Sequence, residues 1–299
     1  MKTDSTIIDI VGFKVPIVKG GLYDRFRSNP PLSVIAAHAP DIDLSWFEKL
    51  TKKKVDIGFE SYSPNFYYKN SSITAIFTAD LSRLQELIPP AILAQVSPIS
   101  LFPKRGLIAI TAYRYHYCDN DAYNEFSLSI VTKKPKSSNC GILSLMKQSS
   151  LKQFWGYVLK LPVNTELARV RGVVGYNLPK WLTPINHIET NDLLKFELID
   201  SETGKVDITF EGIKLTKFSN DKEISRYNFI NLNQQNRLTH GYTDSRPIKK
   251  ASSFKNKSVN LILTDGSLST FIESLKLGRM IKYEYVPEFQ CALYAPQLL

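Results

Sequence analysis

The chain has 299 residues, and its 38 Lys and Arg residues against 28 Asp and Glu residues give a formal net charge of +10. Hydrophobic residues make up 43% of the chain and charged residues 22%, a globular balance that excludes wholesale disorder and the fibrous classes. The three cysteines, Cys118, Cys140 and Cys291, lack the close spacing of a zinc site. Their odd number argues against a disulfide framework and is typical of a reducing compartment.

No targeting segment is visible in the sequence. The N-terminus combines a lysine with an aspartate and has no apolar stretch of the kind found in secretory signals. The most apolar window, residues 87–102, contains three prolines and falls short of the ~20 apolar residues of a spanning helix. We therefore expect a cytoplasmic protein without a membrane span.

The positive charge suggests a nucleic-acid ligand, and residues 52–54 form a short lysine run. The remaining basic residues are scattered along the chain without a recognition motif, so we expect no nucleic-acid binding. No glycine-rich phosphate loop occurs either, and we expect no cofactor. The histidines are far apart in the sequence and predict no metal site; they are His38, His116, His187 and His240.

The first 64 residues read as an N-terminal extension packed on the main domain, which we place at residues 65–299. Within the extension, residues 43–52 predict one short helix with three apolar side chains on a single face. In the main domain, residues 73–78 predict a strand. Asp80 then offers an N-cap to a helix that Pro89 and Pro90 terminate.

Alternating apolar and polar residues predict further strands along the main domain. Residues 106–118 are rich in β-branched and aromatic side chains, and residues 124–132 place Phe126, Leu128 and Ile130 on one face. The other elements are a strand at 167–176, a hairpin of 196–200 with 206–218, a strand at 259–264, a helix at 267–277 and a strand at 280–286. This density of strands predicts an α+β fold, mainly antiparallel β, as a twisted sheet or barrel with few short helices.

Lys180 stands out because it follows Pro179 at the end of an apolar segment and precedes Trp181. A lysine in apolar surroundings loses solvation of its ammonium form, which favours the neutral amine that attacks carbonyl carbons. The simpler interpretation is a surface lysine whose head group reaches water. Local context alone favours the surface lysine, because lysine side chains are mostly exposed.

Several segments resemble the acetoacetate decarboxylase superfamily. Residues 161–182 are similar to its LPVTTE-like segment, followed by a glycine and a proline–lysine element. Residues 77–90 resemble its strand, aspartate-started helix and proline turn. Residues 123–125 resemble its Y-x-E element, and residues 280–285 its closing strand. The motifs occur in the family's order and cover about residues 65–286.

The resemblance implies a cone-like antiparallel β-barrel with a buried site, commonly in a homo-oligomer. It implies that Lys180 forms a Schiff base with a small keto-acid substrate and that Glu125 positions the substrate or transfers protons. Four further side chains are predicted to line the substrate pocket: Tyr123, Trp181, Asn177 and Tyr113. Tyr115, Trp155 and Tyr157 are additional candidates for its walls.

The chain departs from the family pattern at several positions. Trp181 occupies the place of the decarboxylase's second lysine, and Asn70 the place of an arginine that precedes the first strand. Two family acids fall at Val174 and Ile110. The residues that could replace the missing arginine are Arg114, Arg169 and Arg171.

Three functions are therefore compatible with the sequence. The first is a lyase that decarboxylates a β-keto acid through an imine on Lys180. The second keeps the imine but performs an aldol and dehydration step on a keto acid. The third is a non-catalytic barrel that binds a small or lipidic carbonyl compound.

Overall fold

The computed structural model describes residues 4–138 and 140–299. The segment before residue 65 forms two hairpins joined by short helical pieces. Its apolar side chains, such as Ile35 and Phe47, pack against Phe66, Tyr68 and Ala292 of the main body. The elements are β1 (Ser5–Ile10), β2 (Phe13–Val18), α1 (Leu22–Phe26), α2 (Leu32–His38), a 3-10 turn (Phe47–Lys49), β3 (Lys53–Asp56) and β4 (Glu60–Ser63).

The helix predicted at residues 43–52 is wrong, because only the 3-10 turn forms there. Asp43 is committed to other partners: its carboxylate accepts hydrogen bonds from the Ser45 N–H at 3.0 Å and from Arg246 at 3.1 Å. Its carbonyl accepts one from the Gln290 side chain at 2.7 Å. These bonds fix a turn at the start of the segment and tie it to the main body.

The main body begins with the long first strand of a barrel. The Asp80 side chain caps the following helix by accepting a hydrogen bond from the Arg83 N–H, as the sequence predicted. The elements of this half are β5 (Asn65–Asp80), α3 (Leu81–Glu86), α4 (Pro90–Leu93), β6 (Ser100–Phe102), β7 (Arg105–Cys118), β8 (Tyr123–Val131), α5 (Gly141–Leu151) and β9 (Gln153–Lys160).

The second half supplies the remaining barrel strands and a separate small sheet. Its elements are α6 (Glu166–Val170), a π-helical turn (Arg171–Gly175), β10 (Ile185–Glu189), β11 (Leu193–Ile199), β12 (Val206–Ile213), β13 (Ser225–Leu232), β14 (Leu238–Ser253), a 3-10 turn (Asn256–Ser258), β15 (Val259–Leu263), α7 (Ser267–Ser274) and β16 (Met280–Leu298). The hairpin β11–β12 and the final helix and strand match the predicted elements.

The strand predicted at residues 167–176 is wrong, because this segment is helical. Thr165 caps α6 by accepting a hydrogen bond from the Ala168 N–H at 3.4 Å, and Glu166 pairs with Arg169 one turn later. Leu167 and Val170, spaced as on one helix face, are buried against β2 and α1. This tertiary packing and the cap outweigh the strand preference of the valines.

Seven strands close into a barrel in the order β5-β16-β14-β13-β9-β8-β7, and β7 pairs again with β5. Each pairing in this ring is antiparallel except β9 with β13, which is parallel. The strand β6 adds to β7 outside the ring. The mainly antiparallel barrel expected from the sequence is therefore confirmed.

The second sheet shows which face of the barrel points inward. It has the order β10-β11-β12-β15 and shares the main core with the barrel. Phe126 on β8 meets Phe210 on β12 with ring centroids 5.9 Å apart. Because a seven-stranded ring has no room for a sheet inside it, the apolar face of β8 is its outer face. The alternate face, which carries Tyr123, Glu125 and Ser127, points into the barrel.

Among the described residues, no helix combines the length and the apolar character needed to cross a membrane.

Candidate active site

A short extended segment brings Lys180 to the inner face of the barrel. Val163 forms one bridge to Glu125 on β8 and a second to Leu182. Its N–H donates to the Trp181 carbonyl at 3.0 Å, and the Phe126 N–H donates to the Pro162 carbonyl at 3.0 Å. The residues just after Lys180 are thereby fixed beside the strand that carries Glu125.

Gly172, in the π-helical turn, leaves space for the Lys180 side chain. A Cβ atom at position 172 would lie 2.3 Å from Cδ and 2.6 Å from Cε of Lys180, closer than any non-bonded contact allows. The backbone of the turn is also tied to the lysine segment, since the Leu178 N–H donates to the Gly172 carbonyl at 3.0 Å. A larger residue at position 172 would therefore displace the Lys180 side chain from this position.

Lys180 and Glu125 form an ion pair with Nζ 2.6 Å from Oε2. Their side chains are only 6% and 8% exposed. The other carboxylate oxygen, Oε1, accepts a hydrogen bond from the Tyr115 hydroxyl at 3.0 Å. Both oxygens of Glu125 therefore have a partner, and the lysine has an adjacent group that can accept its proton.

Tyrosine rings surround this pair. The Tyr123 ring lies with its centroid 5.6 Å from Lys180 Nζ, and its hydroxyl is 3.2 Å from that of Tyr67. Tyr113 stacks on Tyr115 with centroids 5.6 Å apart. Burial raises the pKa of Tyr115 and Tyr123 well above the ordinary value, and the negative charge of Glu125 adds to the effect. The hydroxyls therefore stay protonated at neutral pH, so Tyr115 remains a donor to Glu125.

A second acid on the inner face, which is partly buried, was not found from the sequence. Glu284 on β16 lies 2.7 Å from Lys282 Nζ and 3.2 Å from Lys250 Nζ. Burial acts to raise the pKa of Glu284, but the two lysines outweigh it and lower the pKa. The signal was the alternation of Glu284 with Tyr283 and Tyr285, which lie in the main core.

Four other predicted pocket residues make their contacts away from the Lys180 head group. Asn177 adopts a left-handed backbone with φ of 54° and, together with Tyr157, lines a cavity of about 300 Å³ on the Leu178 side of the segment. The Trp181 ring lies near Lys160, whose Nζ is 5.8 Å from its centroid, and packs against the main core. Trp155 stacks on His240 with centroids 5.2 Å apart.

The positions that depart from the family pattern have structural roles. Asn70 is buried and donates to the carbonyls of Tyr67 at 3.1 Å and Phe289 at 3.0 Å. Ile110 lies in the main core. Of the candidate arginines, Arg114 donates to the Asn124 side chain, Arg169 pairs with Glu166, and Arg171 is buried beside the N-terminal extension.

The structure describes Cys118, Cys140 and Cys291 as free thiols. Across residues 4–138 and 140–299, no group of three or more His, Cys, Asp or Glu side chains is arranged to hold a metal ion.

Breaking the Lys180–Glu125 ion pair should have a large effect on the stability of the fold. We expect Glu125→Gln to lower the free energy of unfolding by about 3–5 kcal/mol at pH 7, because it leaves a buried ammonium without a counter-charge. The double variant Glu125→Gln, Lys180→Met should recover most of that loss. Urea unfolding measures both, with Glu60→Gln as the matched control, because Glu60 forms an exposed pair with Lys54 and should change stability by less than ~1 kcal/mol. Equal effects of Glu125→Gln and the control would contradict the prediction.

Comparisons with known proteins are informative at the level of structure. No protein-family model matches the chain, and no curated protein matches it significantly. Among solved structures, the acetoacetate decarboxylase of Legionella pneumophila superposes with a TM-score of 0.59 at 13% identity, covering 79% of this chain and 87% of the other.

Two further structures agree with this result. One, from structural studies of acetoacetate decarboxylase, gives a TM-score of 0.58 at 12% identity, over 79% of this chain and 89% of the other. The enduracididine biosynthesis enzyme MppR, complexed with pyruvate, gives a TM-score of 0.57 at 12% identity, covering 79% of this chain and 90% of the other. The chain therefore has the acetoacetate decarboxylase-like fold that its sequence motifs predicted.

Proposed function

We propose that this protein is a Schiff-base-forming lyase that decarboxylates a small β-keto acid through an imine on Lys180. The observation that carries the proposal is the buried contact of Lys180 Nζ with Glu125 Oε2 at 2.6 Å on the inner face of the barrel. A lysine can be activated as a nucleophile by desolvation or by a base beside it, and both features are present at Lys180. The fold and the order of the motifs add support.

Glu125 activates the lysine in this mechanism. Its Oε2 accepts a proton from the Lys180 ammonium, which leaves a neutral amine and a neutral carboxylic acid where two buried charges had been. The Tyr115 hydroxyl, bonded to Oε1 at 3.0 Å, holds the carboxyl group in place during the transfer. The acid form of Glu125 is then positioned to return a proton to the substrate.

The bond changes are balanced with one proton taken up overall. The Lys180 amine attacks the ketone carbon, and loss of water, assisted by a proton from Glu125, gives a protonated imine. This cation accepts the electron pair of the breaking carbon–carboxylate bond, so CO₂ departs and an enamine remains. A proton adds to the enamine carbon, and water then hydrolyses the imine to release the ketone and the free lysine.

A second reaction on the same lysine is favoured by two observations. Trp181 stands where the decarboxylase has a second lysine, and its ring is turned toward Lys160. One structural neighbour, MppR, is described as complexed with pyruvate, and in another structure with a condensation product of pyruvate. In this alternative, an enamine of a keto acid attacks an aldehyde, and water is then eliminated. The Schiff base is common to both reactions.

Borohydride trapping tests the proposal. We expect the wild-type chain to gain the mass of a reduced adduct when treated with borohydride and acetoacetate, pyruvate or a longer β-keto acid, because the reagent reduces an imine irreversibly. Lys180→Ala should gain no adduct. Intact mass spectrometry measures the adduct, and peptide mapping locates it. Lys160→Ala is the matched control, since Lys160 is a partly buried lysine next to Trp181, and it should still be trapped.

The products separate the remaining functions. CO₂ released by wild type and not by Lys180→Ala supports the decarboxylase. An adduct with pyruvate that consumes an added aldehyde without CO₂ release supports the aldol reaction. The absence of any adduct with all three carbonyl compounds would contradict Schiff-base chemistry and favour a non-catalytic barrel that binds a carbonyl compound.

Gly172 gives a sharper prediction. We expect Gly172→Ala to lower the rate of adduct formation at least tenfold, because the new methyl group displaces the flexible Lys180 side chain from Glu125. Separation of this buried pair should also lower the free energy of unfolding, by up to about 3–5 kcal/mol. Gly175→Ala, in the same turn, is the control, because its methyl group would press on Ile57 and not on Lys180. Equal trapping rates in wild type and Gly172→Ala would refute the positioning role.

A further inference from the structure

The helix α5 lies on the barrel with a polar side turned inward. Ser144 and Gln148, one turn apart on this side, are buried. The opposite side carries three large apolar residues, which we call the apolar face of α5: Ile142 at 58% exposure, Leu143 at 55% and Met146 at 63%. A helix that only covers a barrel buries its apolar side and exposes its polar side. The reversed orientation leaves the apolar face in contact with water.

Specific contacts hold the helix in this orientation. The Gln148 side chain donates a hydrogen bond to the Thr132 carbonyl at 2.9 Å and accepts one from the Trp155 N–H at 2.9 Å. At the start of the helix, Gly141 packs so closely on β6 that a Cβ atom there would overlap the Ser100 carbonyl oxygen. The exposure of the apolar face is therefore fixed by the packing of the opposite side.

The surroundings of the apolar face are positively charged. Residues 87–118 and 126–165, which include β6 and α5, contain no Asp or Glu. Five lysines in these segments are exposed or partly exposed and pair with no carboxylate in the part of the chain that the structure describes: Lys104, Lys133, Lys134, Lys136 and Lys147. A small cavity of about 70 Å³ is lined by both Lys134 and Lys147, which places the lysine-rich loop beside the helix.

We propose that the apolar face of α5 and these lysines bind the surface of an anionic lipid bilayer. The apolar side chains enter the boundary between head groups and acyl chains, while the lysines contact lipid phosphates. A bilayer surface offers apolar and negatively charged groups side by side, which matches this combination. A second copy of the chain matches it less well, because a two-fold contact through α5 would place like charges against each other. The inference does not depend on the reaction at Lys180.

Vesicle sedimentation with the full chain tests the proposal. Vesicles of phosphatidylcholine alone are compared with vesicles that contain about one-third phosphatidylserine. We expect the chain to bind the anionic vesicles at least tenfold more tightly than the neutral ones, because the lysines are attracted to negative head groups. Raising the salt concentration should weaken the binding to anionic vesicles, since salt screens exposed charges.

Substitutions of the apolar face separate insertion from simple charge attraction. The triple variant Ile142→Ser, Leu143→Ser, Met146→Ser should bind anionic vesicles at least tenfold more weakly than wild type, because it lacks the apolar area that enters the bilayer. Ile7→Ser is the matched control and should bind like wild type, since Ile7 is 67% exposed on β1, outside the proposed surface. Circular dichroism checks that each variant is folded.

A fluorophore locates the contact on the molecule. Cys140, just before α5, is exposed, whereas Cys118 and Cys291 are buried, so a polarity-sensitive maleimide dye attaches at Cys140. Its emission should shift to shorter wavelength when anionic vesicles are added. An unshifted emission with sedimenting protein, equal binding of wild type and the triple variant, or no vesicle binding would overturn the proposal. A solution dimer that the triple variant dissociates, without vesicle binding, would assign the apolar face to a second copy instead.

Discussion

The double pairing of Val163 determines where Lys180 lies. One side of this residue is bridged to Glu125 and the other to Leu182, so a short segment is held between β8 and the chain that follows Lys180. The lysine segment therefore takes its position from backbone hydrogen bonds. Ordered backbone on both sides limits the conformational freedom of Lys180 and keeps its side chain beside Glu125.

The inner face of the barrel has a chemical character unlike that of its outer face. The outer face is covered by the second sheet and is apolar, whereas the inner face combines tyrosine rings with two acids, Glu125 and Glu284, each paired with lysine. In these surroundings a charge interacts more strongly than in water, and an unpaired one is costly. Each of the two acids therefore has a counter-charge within the barrel.

Much of this arrangement was predictable from the sequence, and the failures have physical causes. The alternation along β8 correctly separated Phe126 and Leu128 from Glu125, because a strand with one apolar face shows a period of two. The strand predicted at 167–176 was wrong because the valines of this segment favour strands. Its helical conformation depends on contacts with β2 and α1, which are distant in the sequence. The strand β14 was not predicted, because its polar sequence is typical of a turn. It forms a strand because β13 and β16 provide hydrogen-bond partners for its backbone. Family motifs identified Lys180. They could not predict the burial of Arg171, because it depends on contacts with the N-terminal extension.

The position of β16 between β5 and β14 has a consequence for biosynthesis. Leu293 pairs with Asn65, more than two hundred positions earlier, so one seam of the ring stays open until the last strand has left the ribosome. Local hairpins such as β7–β8 can form long before that point, whereas closure requires a contact of very high sequence separation. Until then, the edges of β5 and β14 present unpaired backbone groups, which favour association with other chains. Glu125 and Lys180 would thus be synthesised well before β16 completes the ring around them.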